Sequence, residues 1–242
     1  MPKLISSRLL RRTVPLLAVL FLVGLSSGAQ AASSASGEAS RESVKRFQTS
    51  LGFGAMWLGD ETIGSVYGSQ ARFMPKLSAG FVPLSKYVHL ELNFSLSFLQ
   101  FSGSETFVST GGASADEVWM TIFPMGVDLL VGIDVADEQP VVPFGGVGFA
   151  AALWREHQSG GGDSWTGDRF GWSGFFGLAI LMDRFEPARS RKLDVASGIN
   201  DVFFALEGRY SDVSNQIRDG ELTQEGLHFG GWAFTGSLKF VH

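Results

Sequence analysis

The stretch from Val88 to Gln100, VHLELNFSLSFLQ, alternates apolar with polar or small side chains almost without a break. Successive residues of a β-strand point to opposite faces, so this segment predicts a strand with one apolar and one polar face. In a soluble sheet the apolar face packs on a core. In a membrane barrel the apolar face contacts lipid and the polar face lines the interior. The remaining sequence must decide between these arrangements.

Seven further segments show a similar pattern. The eight predicted strands cover residues 47–58, 70–82, 87–101, 117–135, 141–157, 169–182, 200–211 and 227–241. Soluble strands are usually about 5–6 residues long, whereas a strand that crosses a membrane needs about 9–11. Most of these runs reach 11 residues or more. Their length favours an all-β fold, an eight-stranded antiparallel up-and-down transmembrane β-barrel, over a soluble β-sandwich or a lipocalin-like barrel.

The connections between the predicted strands alternate between short and long. Those at 83–86 and 136–140 are short, and those at 59–69, 103–116, 158–168 and 212–226 are longer and rich in Gly, Ser and Asp. Outer-membrane barrels have short periplasmic turns and longer outer loops, so this pattern places both termini in the periplasm. The periplasmic turn 183–199 is unusually long, and residues 186–193 predict one or two helical turns. Pro75 and Pro124 interrupt two strands and mark bulges or strand ends.

The N-terminus has the layout of a secretory signal peptide. A basic head precedes an apolar run from Val14 to Leu25, and Ala29-Gln30-Ala31 forms a small-x-small cleavage site. The apolar run is too short to span a membrane comfortably. We therefore predict a cleaved signal peptide at 1–31, a flexible Ser- and Ala-rich leader at 32–46 and the barrel at 47–242. Export of a barrel predicts location in the outer membrane.

Composition excludes several other classes of protein. The chain has no cysteine, so disulfides and thiolate metal sites are excluded, and its four histidines lack the spacing of a zinc site. We expect no cofactor. Of the 19 basic and 24 acidic residues, four basic and no acidic ones lie in the signal peptide, so the mature chain carries a formal charge of −9. That charge argues against a nucleic-acid partner, which needs clustered Lys and Arg.

The predicted inward face collects charged side chains. The candidate members of a lumen charge network are Arg72, Lys76, Glu91, Asp128, Glu207 and Arg209, with His89 and Lys239 in the same phase. The interior of an eight-stranded barrel is just filled by side chains, and a buried charge must be paired or cost several kcal/mol. We predict an ion-pair network that plugs the lumen, in which Arg209 bridges Glu207 to Glu91 or Asp128. The alternative is a narrow gated pore or a proton path.

The outer loops offer weaker functional signals. His157, Ser159, Asp163 and Ser164 lie at the predicted rim, but no nucleophile-elbow context precedes them, so we do not predict an enzyme. A lipid-modifying enzyme remains an alternative. The long loops hold nine more acidic than basic residues, which indicates either simple solvation or binding of divalent cations or a basic partner. Four tryptophans near the loops are candidates for an outer aromatic belt: Trp119, Trp154, Trp165 and Trp172.

The segment from Leu181 to Tyr210 resembles a family of uncharacterised outer-membrane β-barrel proteins found mainly in myxobacteria and their relatives. The resemblance rests on Glu186-Pro187, Leu193-Asp194, Gly198-Ile199-Asn200 and Glu207, and extends to residues 124–135 and 143–149. More broadly, the chain is similar in plan to the eight-stranded OmpA-type barrels. The resemblance implies the fold and the location but no reaction. The last strand departs from the usual terminal aromatic residue, because Val241 and His242 follow Phe240.

Together these features predict a monomeric outer-membrane barrel with a polar plugged lumen and a structural or cell-surface interaction role. The expected partners are outer-membrane lipids, including lipopolysaccharide, and the barrel-insertion machinery. A small-solute channel is the main alternative function.

Overall fold

A computed structural model describes most of the predicted barrel region. It covers residues 47–84, 88–106, 113–135, 139–158, 164–185, 197–218, 221–223 and 226–242. The predicted signal peptide, the leader and the helical turns predicted at 186–193 lie outside these residues. Within the described ranges, no helix has the length and apolar character needed to cross a membrane.

Strands account for most of the described residues. In chain order they are β1 Phe47–Leu58, β2 Arg72–Leu84, β3 Val88–Ser97, β4 Leu99–Thr106, β5 Ala113–Ile133, β6 Val141–Gln158, β7 Ser164–Leu181, β8 Asp201–Arg218, β9 Glu221–Thr223 and β10 Gly231–Val241. One short helix, α1, spans Glu61–Tyr67 between β1 and β2.

The strands form a closed antiparallel barrel. Neighbours along the chain pair with each other, and β10 pairs with both β8 and β1 to close the sheet. β4 continues β3, because Leu96 pairs with Met125 and Leu99 pairs with Ile122 in one unbroken register along β5. β9 forms a short hairpin with the outer end of β8. Counting β3 with β4 and leaving out β9 gives eight wall strands, so the predicted up-and-down barrel is confirmed.

The two faces of the wall follow the alternation in the sequence. On β3, Leu92 faces outward and is 52% exposed, whereas its neighbour Asn93 faces inward and is 6% exposed. Other outward-facing residues are equally apolar: Phe53, Phe73, Val127, Val147, Phe176 and Phe234. The buried polar residues of the same strands include Ser50, Ser78, Ser95 and Ser173. The outward face is therefore suited to lipid, as the sequence predicted.

The strands extend further into the outer loops than the alternation predicted. β5 starts at Ala113, β7 starts at Ser164 and β8 continues to Arg218, all within segments predicted as loops. These extensions are rich in Ser, Thr, Asp and Asn, which masks the apolar period, but pairing with a long neighbour holds them in the sheet. For example, His157 pairs with Ser164 across the β6–β7 hairpin.

Helix α1 is also missing from the sequence prediction, because its seven residues lie in a segment assigned to a loop. Asp60 caps the helix by accepting a hydrogen bond from the backbone N–H of Ile63 at 2.9 Å. The same carboxylate accepts a bond from the backbone N–H of His228 at 2.7 Å. Asp60 therefore ties α1 to the segment that leads into β10.

Three of the four tryptophans predicted for an outer belt are exposed, and one is not. Trp119, Trp165 and Trp172 face outward. Trp154 instead packs inside the barrel, with its ring centroid 6.0 Å from that of Phe229. It shares the inward phase of Ala150 and Ala152 on β6, so its position follows from the strand register rather than from its residue type.

Leu92 and Asn93 provide a direct test of which face contacts lipid. Leu92→Arg places a charge on the outward face, where a midplane charge costs roughly 2–4 kcal/mol. We expect Leu92→Arg to reduce the folded fraction in lipid vesicles, measured by gel mobility without heating, much more than the inward-facing change Asn93→Asp. Equal folding of the two variants would show that the faces are assigned incorrectly.

Candidate functional site in the barrel lumen

Five side chains from four strands meet near the middle of the lumen. We call Lys76, Asp128, Ser173, Glu207 and Arg209 the central cluster. Lys76 Nζ lies 2.6 Å from Glu207 Oε1, and Arg209 Nε lies 2.9 Å from the same oxygen. Arg209 also donates from Nη1 and Nη2 to the two carboxylate oxygens of Asp128, at 2.9 and 2.8 Å. Arg209 therefore links two carboxylates, one of them through a two-pronged contact.

The local sequence places these groups without crowding. Glu207 and Arg209 stand two apart on β8 and so share its inward face. Asp128 lies directly opposite Gly148 on β6, and a Cβ at Gly148 would collide with the Asp128 carboxylate. The Arg209 guanidinium lies 4.3 Å from the centre of the Phe175 ring. Glycine thus provides the space for the buried acid, and an aromatic face covers the guanidinium.

The central cluster balances its charges within itself. It holds two cations, Lys76 and Arg209, and two carboxylates, Asp128 and Glu207. Ser173 accepts a hydrogen bond from Arg209 Nη1 at 2.9 Å and lies 3.3 Å from Asp128 Oδ1. Pairing and hydrogen bonding offset part of the cost of burying these four charges. Removal of any one charged member would leave a net buried charge in the cluster.

A second polar group, the periplasmic cluster, lies toward the end of the barrel that carries the short turns. It consists of Gln48, His89, Glu91 and Lys239. The fully buried carboxylate of Glu91 accepts a hydrogen bond from Gln48, lies 3.4 Å from His89 Nε2 and lies 3.7 Å from Lys239 Nζ. The predicted network is thus divided into two groups, and Arg209 pairs with Asp128 rather than with Glu91.

Arg72 belongs to neither group. It is the first residue of β2 at the outer end, where its side chain donates a hydrogen bond to the backbone carbonyl of Tyr67 in α1. Its guanidinium also lies 5.4 Å from the centre of the Phe101 ring on β4. The alternation predicted the correct face for Arg72, but its partners could not be predicted because α1 was not expected.

Between the central cluster and the outer end, the lumen is mainly apolar, although the buried Arg169 and the partly buried Arg72 also lie at this end. We call this outer part the outer chamber, and its buried members are Met56, Ile63, Tyr67, Met74, Leu99, Phe101, Val118, Met120, Ile122, Ala150, Ala152, Val213, Phe229 and Ala233. The alternation of the sequence did not predict this chamber. Short runs that are apolar on both faces, such as Val118-Trp119-Met120 and Phe98-Leu99, carry the signal. A strand that faces lipid on one side and an apolar interior on the other loses the alternation that was used to assign faces.

Among the described residues of the outer rim, no serine, histidine and acid are arranged as in a hydrolase. His157 and Ser164 face each other across β6 and β7, while Ser159 and Asp163 lie outside the described residues. A different group was not predicted: His228 Nε2 lies 3.0 Å from Asp212 Oδ1, and Ser214 donates to the same oxygen at 2.9 Å. Ser214 and His228 thus both contact the Asp212 carboxylate. In a catalytic triad the serine hydroxyl is instead hydrogen-bonded to the histidine ring. Among the described residues, no group of three or more acidic or histidine side chains is placed to hold a metal ion.

Comparison with known proteins supports the fold. No family model matches the chain, and no curated protein matches its sequence. The chain is similar to the outer membrane protein OprG from Pseudomonas aeruginosa, with a TM-score of 0.53 and 12% identity over 82% of this chain and 96% of that one. It is also similar to Neisserial surface protein A, with a TM-score of 0.44 and 12% identity over 81% and 97% of the two chains. A third match, Ail of Yersinia pestis, has a TM-score of 0.44 and 10% identity over 81% and 100%. The likeness to OprG shows an outer-membrane β-barrel fold.

Arg209 and its partners make a testable prediction about stability. Arg209→Ala leaves Asp128 and Glu207 short of a cation, and breaking a buried pair typically costs about 3–5 kcal/mol. We expect a corresponding loss in the free energy of unfolding in detergent, measured by urea titration. Adding Asp128→Asn should recover part of that loss.

Glu91→Gln is the matched control, because it alters a buried carboxylate that belongs to the other cluster. Its effect should add to that of Arg209→Ala without coupling. Equal coupling of Arg209 to Glu91 and to Asp128, or no coupling to either, would contradict the division into two clusters.

Proposed function

We propose that this chain is an exported, monomeric outer-membrane barrel with a structural or cell-surface interaction role, whose lumen is closed to ions at rest. In this proposal residues 1–31 are removed as a signal peptide and the barrel-insertion machinery assembles the mature chain. Outer-membrane lipids, including lipopolysaccharide, surround the wall. The protein is not an enzyme and uses no cofactor.

The observation that carries the proposal is the pairing of Arg209 with both Asp128 and Glu207 at the middle of the lumen. An ion that passes this level has to separate buried charge pairs and lose its own hydration. Beyond the central cluster lies the outer chamber, whose apolar walls offer an ion no replacement ligands. The periplasmic cluster stands on the other side. Three successive layers of side chains thus oppose conduction.

An outward row of aromatic rings supports the membrane location. Trp172, Tyr210, Trp232, Phe234 and Trp57 follow one another across β7, β8, β10 and β1, with neighbouring ring centroids 5.3–6.3 Å apart. Aromatic girdles of this kind lie at the interface between the membrane and water. The outer loops are acidic in sequence, so we propose divalent cations or a basic partner as their ligands.

The small-solute channel remains the principal rival. It requires a continuous polar path, and the outer chamber interrupts such a path with methionine, leucine and isoleucine side chains. A lipid-modifying enzyme is the weaker rival, because Ser214 and His228 contact the same oxygen of Asp212 instead of each other.

Conductance distinguishes the closed barrel from the channel. We expect the purified full-length mature protein to give no unitary current steps in planar phosphatidylcholine bilayers, because the central cluster and the outer chamber block the lumen. A detergent-only preparation provides the baseline.

A Lys76→Met variant separates current through this lumen from current caused by a contaminant. Current steps that come from a contaminant would have the same size and ion selectivity in the variant. Steps whose size or ion selectivity changes in Lys76→Met would come from this lumen, since Lys76 faces it. That second result would replace the closed barrel with the small-solute channel.

A further inference from the structure

The outer chamber contains unfilled space. A cavity of about 50 Å³ lies between the central cluster and the outer end of the barrel. Its apolar walls include Met56, Met74, Leu99, Ile122, Ala150 and Ala233. The cavity is not wholly apolar, because Lys76, Glu207 and Arg209 line its inner end with Ser211 and Thr235. Its apolar part suits an apolar molecule, and methionine side chains adapt readily to a changed occupant.

The wall beside this chamber has a break in its backbone pairing. Pairing of β2 with β3 runs outward only as far as Lys76 opposite Ser97, and the last bond is from the Phe98 N–H to the Pro75 carbonyl at 3.2 Å. Pro75 has no N–H to return that bond. Farther out, β2 stays paired with β1, and β4 pairs only with β5. We call the unpaired gap beyond the Phe98–Pro75 bond, between residues 72–74 and 99–102, the seam.

Helix α1 bridges the seam. Arg72 on one side donates a hydrogen bond to the Tyr67 carbonyl, and the Tyr67 ring packs against Phe101 on the other side with 6.2 Å between ring centroids. Gly103 on β4 lies so close to the Val66 carbonyl that a Cβ there would collide with it. The buried side chains of Ile63 and Tyr67 occupy the chamber. Part of the barrel wall is thus replaced by side-chain and helix contacts, which separate more easily than a β-ladder.

The seam faces the membrane rather than the outer solution. Its outward-facing flanks are Phe73, 69% exposed, and Phe98, 37% exposed. Two outward tryptophans mark the outer end of the seam: Trp57 follows Met56, which pairs with Arg72, and Trp119 pairs with Ser102. A molecule dissolved in the hydrocarbon of the outer leaflet can therefore reach the seam without passing through the outer solution.

We propose that the outer chamber is a binding site for a small apolar molecule, of the size of a short alkyl chain, which enters from the membrane through the seam beneath α1. The resting cavity is too small for such a chain, so binding requires Ile63 and Tyr67 to move outward with the helix. The central cluster forms a charged floor that halts the apolar molecule. This inference goes beyond the closed-barrel proposal, because it needs no passage of ions through the lumen.

Trp154 provides a fluorescent probe of the outer chamber, because it packs against the chamber. The other five tryptophans are replaced by phenylalanine, so that the emission comes from Trp154 alone. The mature full-length variant with Trp154 alone is reconstituted in phosphatidylcholine vesicles and titrated with 1-bromooctane, whose bromine quenches indole fluorescence. We expect a saturable loss of Trp154 emission that added octane reverses. A variant with Trp172 alone, exposed to lipid on β7, should show only a linear loss with bromooctane concentration.

Two inward alanines give matched variants in the Trp154-only background. Ala233→Leu fills the chamber and should abolish the saturable component of the quenching. Ala179 lies instead in a separate apolar cluster at the periplasmic end of the lumen, so Ala179→Leu should preserve that component. Folding of each is checked by gel mobility without heating. Linear quenching of Trp154 that octane does not reverse would overturn the proposal, whatever the behaviour of the alanine variants. Saturable quenching that survives in folded Ala233→Leu would also overturn the placement in this chamber.

Discussion

The need to satisfy backbone hydrogen bonds in a medium without water governs this structure. A sheet that crosses a membrane has no solvent to bond its edges, so it must close on itself. Here β10 closes the sheet by pairing with β1 from Leu58 opposite Gly231 to Gln48 opposite Val241. Phe47 and His242 complete the junction with two further backbone bonds, at 3.3 and 2.8 Å. Once closure is required, each strand has a fixed lipid face and a fixed lumen face.

Closure leaves a narrow interior in which side chains compete for space. The central cluster is accommodated because Gly148 stands opposite Asp128, and the periplasmic cluster because Gly80 leaves room for the Glu91 carboxylate. A strand of larger residues would force these acids apart from their cations. The outer chamber relies on the opposite solution, with methionine and alanine side chains that need no polar partners. The division of the lumen into charged and apolar layers therefore follows from which residues share the inward phase at each depth.

Much of the barrel could be predicted from the alternation alone. Leu92 and Asn93 show why: one face had to be apolar for lipid, and the polar neighbour was thereby assigned to the lumen. The same reasoning brought Lys76, Asp128, Glu207 and Arg209 to one face. It could not choose between Asp128 and Glu91 as the partner of Arg209, because cross-barrel partners depend on strand register, and register is set by pairing over the whole wall.

Most of the other features that escaped prediction lie at the outer end. There the lumen-facing residues Val118, Met120 and Ile122 are apolar, and so are outward-facing neighbours such as Trp119 and Phe123. The two-residue alternation of apolar and polar side chains, which distinguishes the two faces of a strand, is therefore lost. Helix α1 is too short to show a helical period, and its position depends on contacts with Arg72 and Phe101 that are distant in sequence. The sequence predicted that Pro75 marks a bulge or a strand end. The pairing shows that the β2–β3 ladder ends at this residue, whereas the β1–β2 ladder continues past it.

In this barrel the backbone ladder is continuous through the β1–β10 closure and interrupted between β2 and β4. Site-resolved amide hydrogen exchange by NMR in lipid bilayers tests this arrangement most directly. The N–H groups of Gln100 and Ser102 point to the same side as that of Phe98, toward the seam, whereas those of Leu99 and Phe101 point to β5. We predict strong protection of Leu99, Phe101 and the β1–β10 amides, with markedly faster exchange at Gln100 and Ser102. Equal protection of all four β4 amides would contradict the seam, and rapid exchange along β1 and β10 would contradict the closed barrel itself.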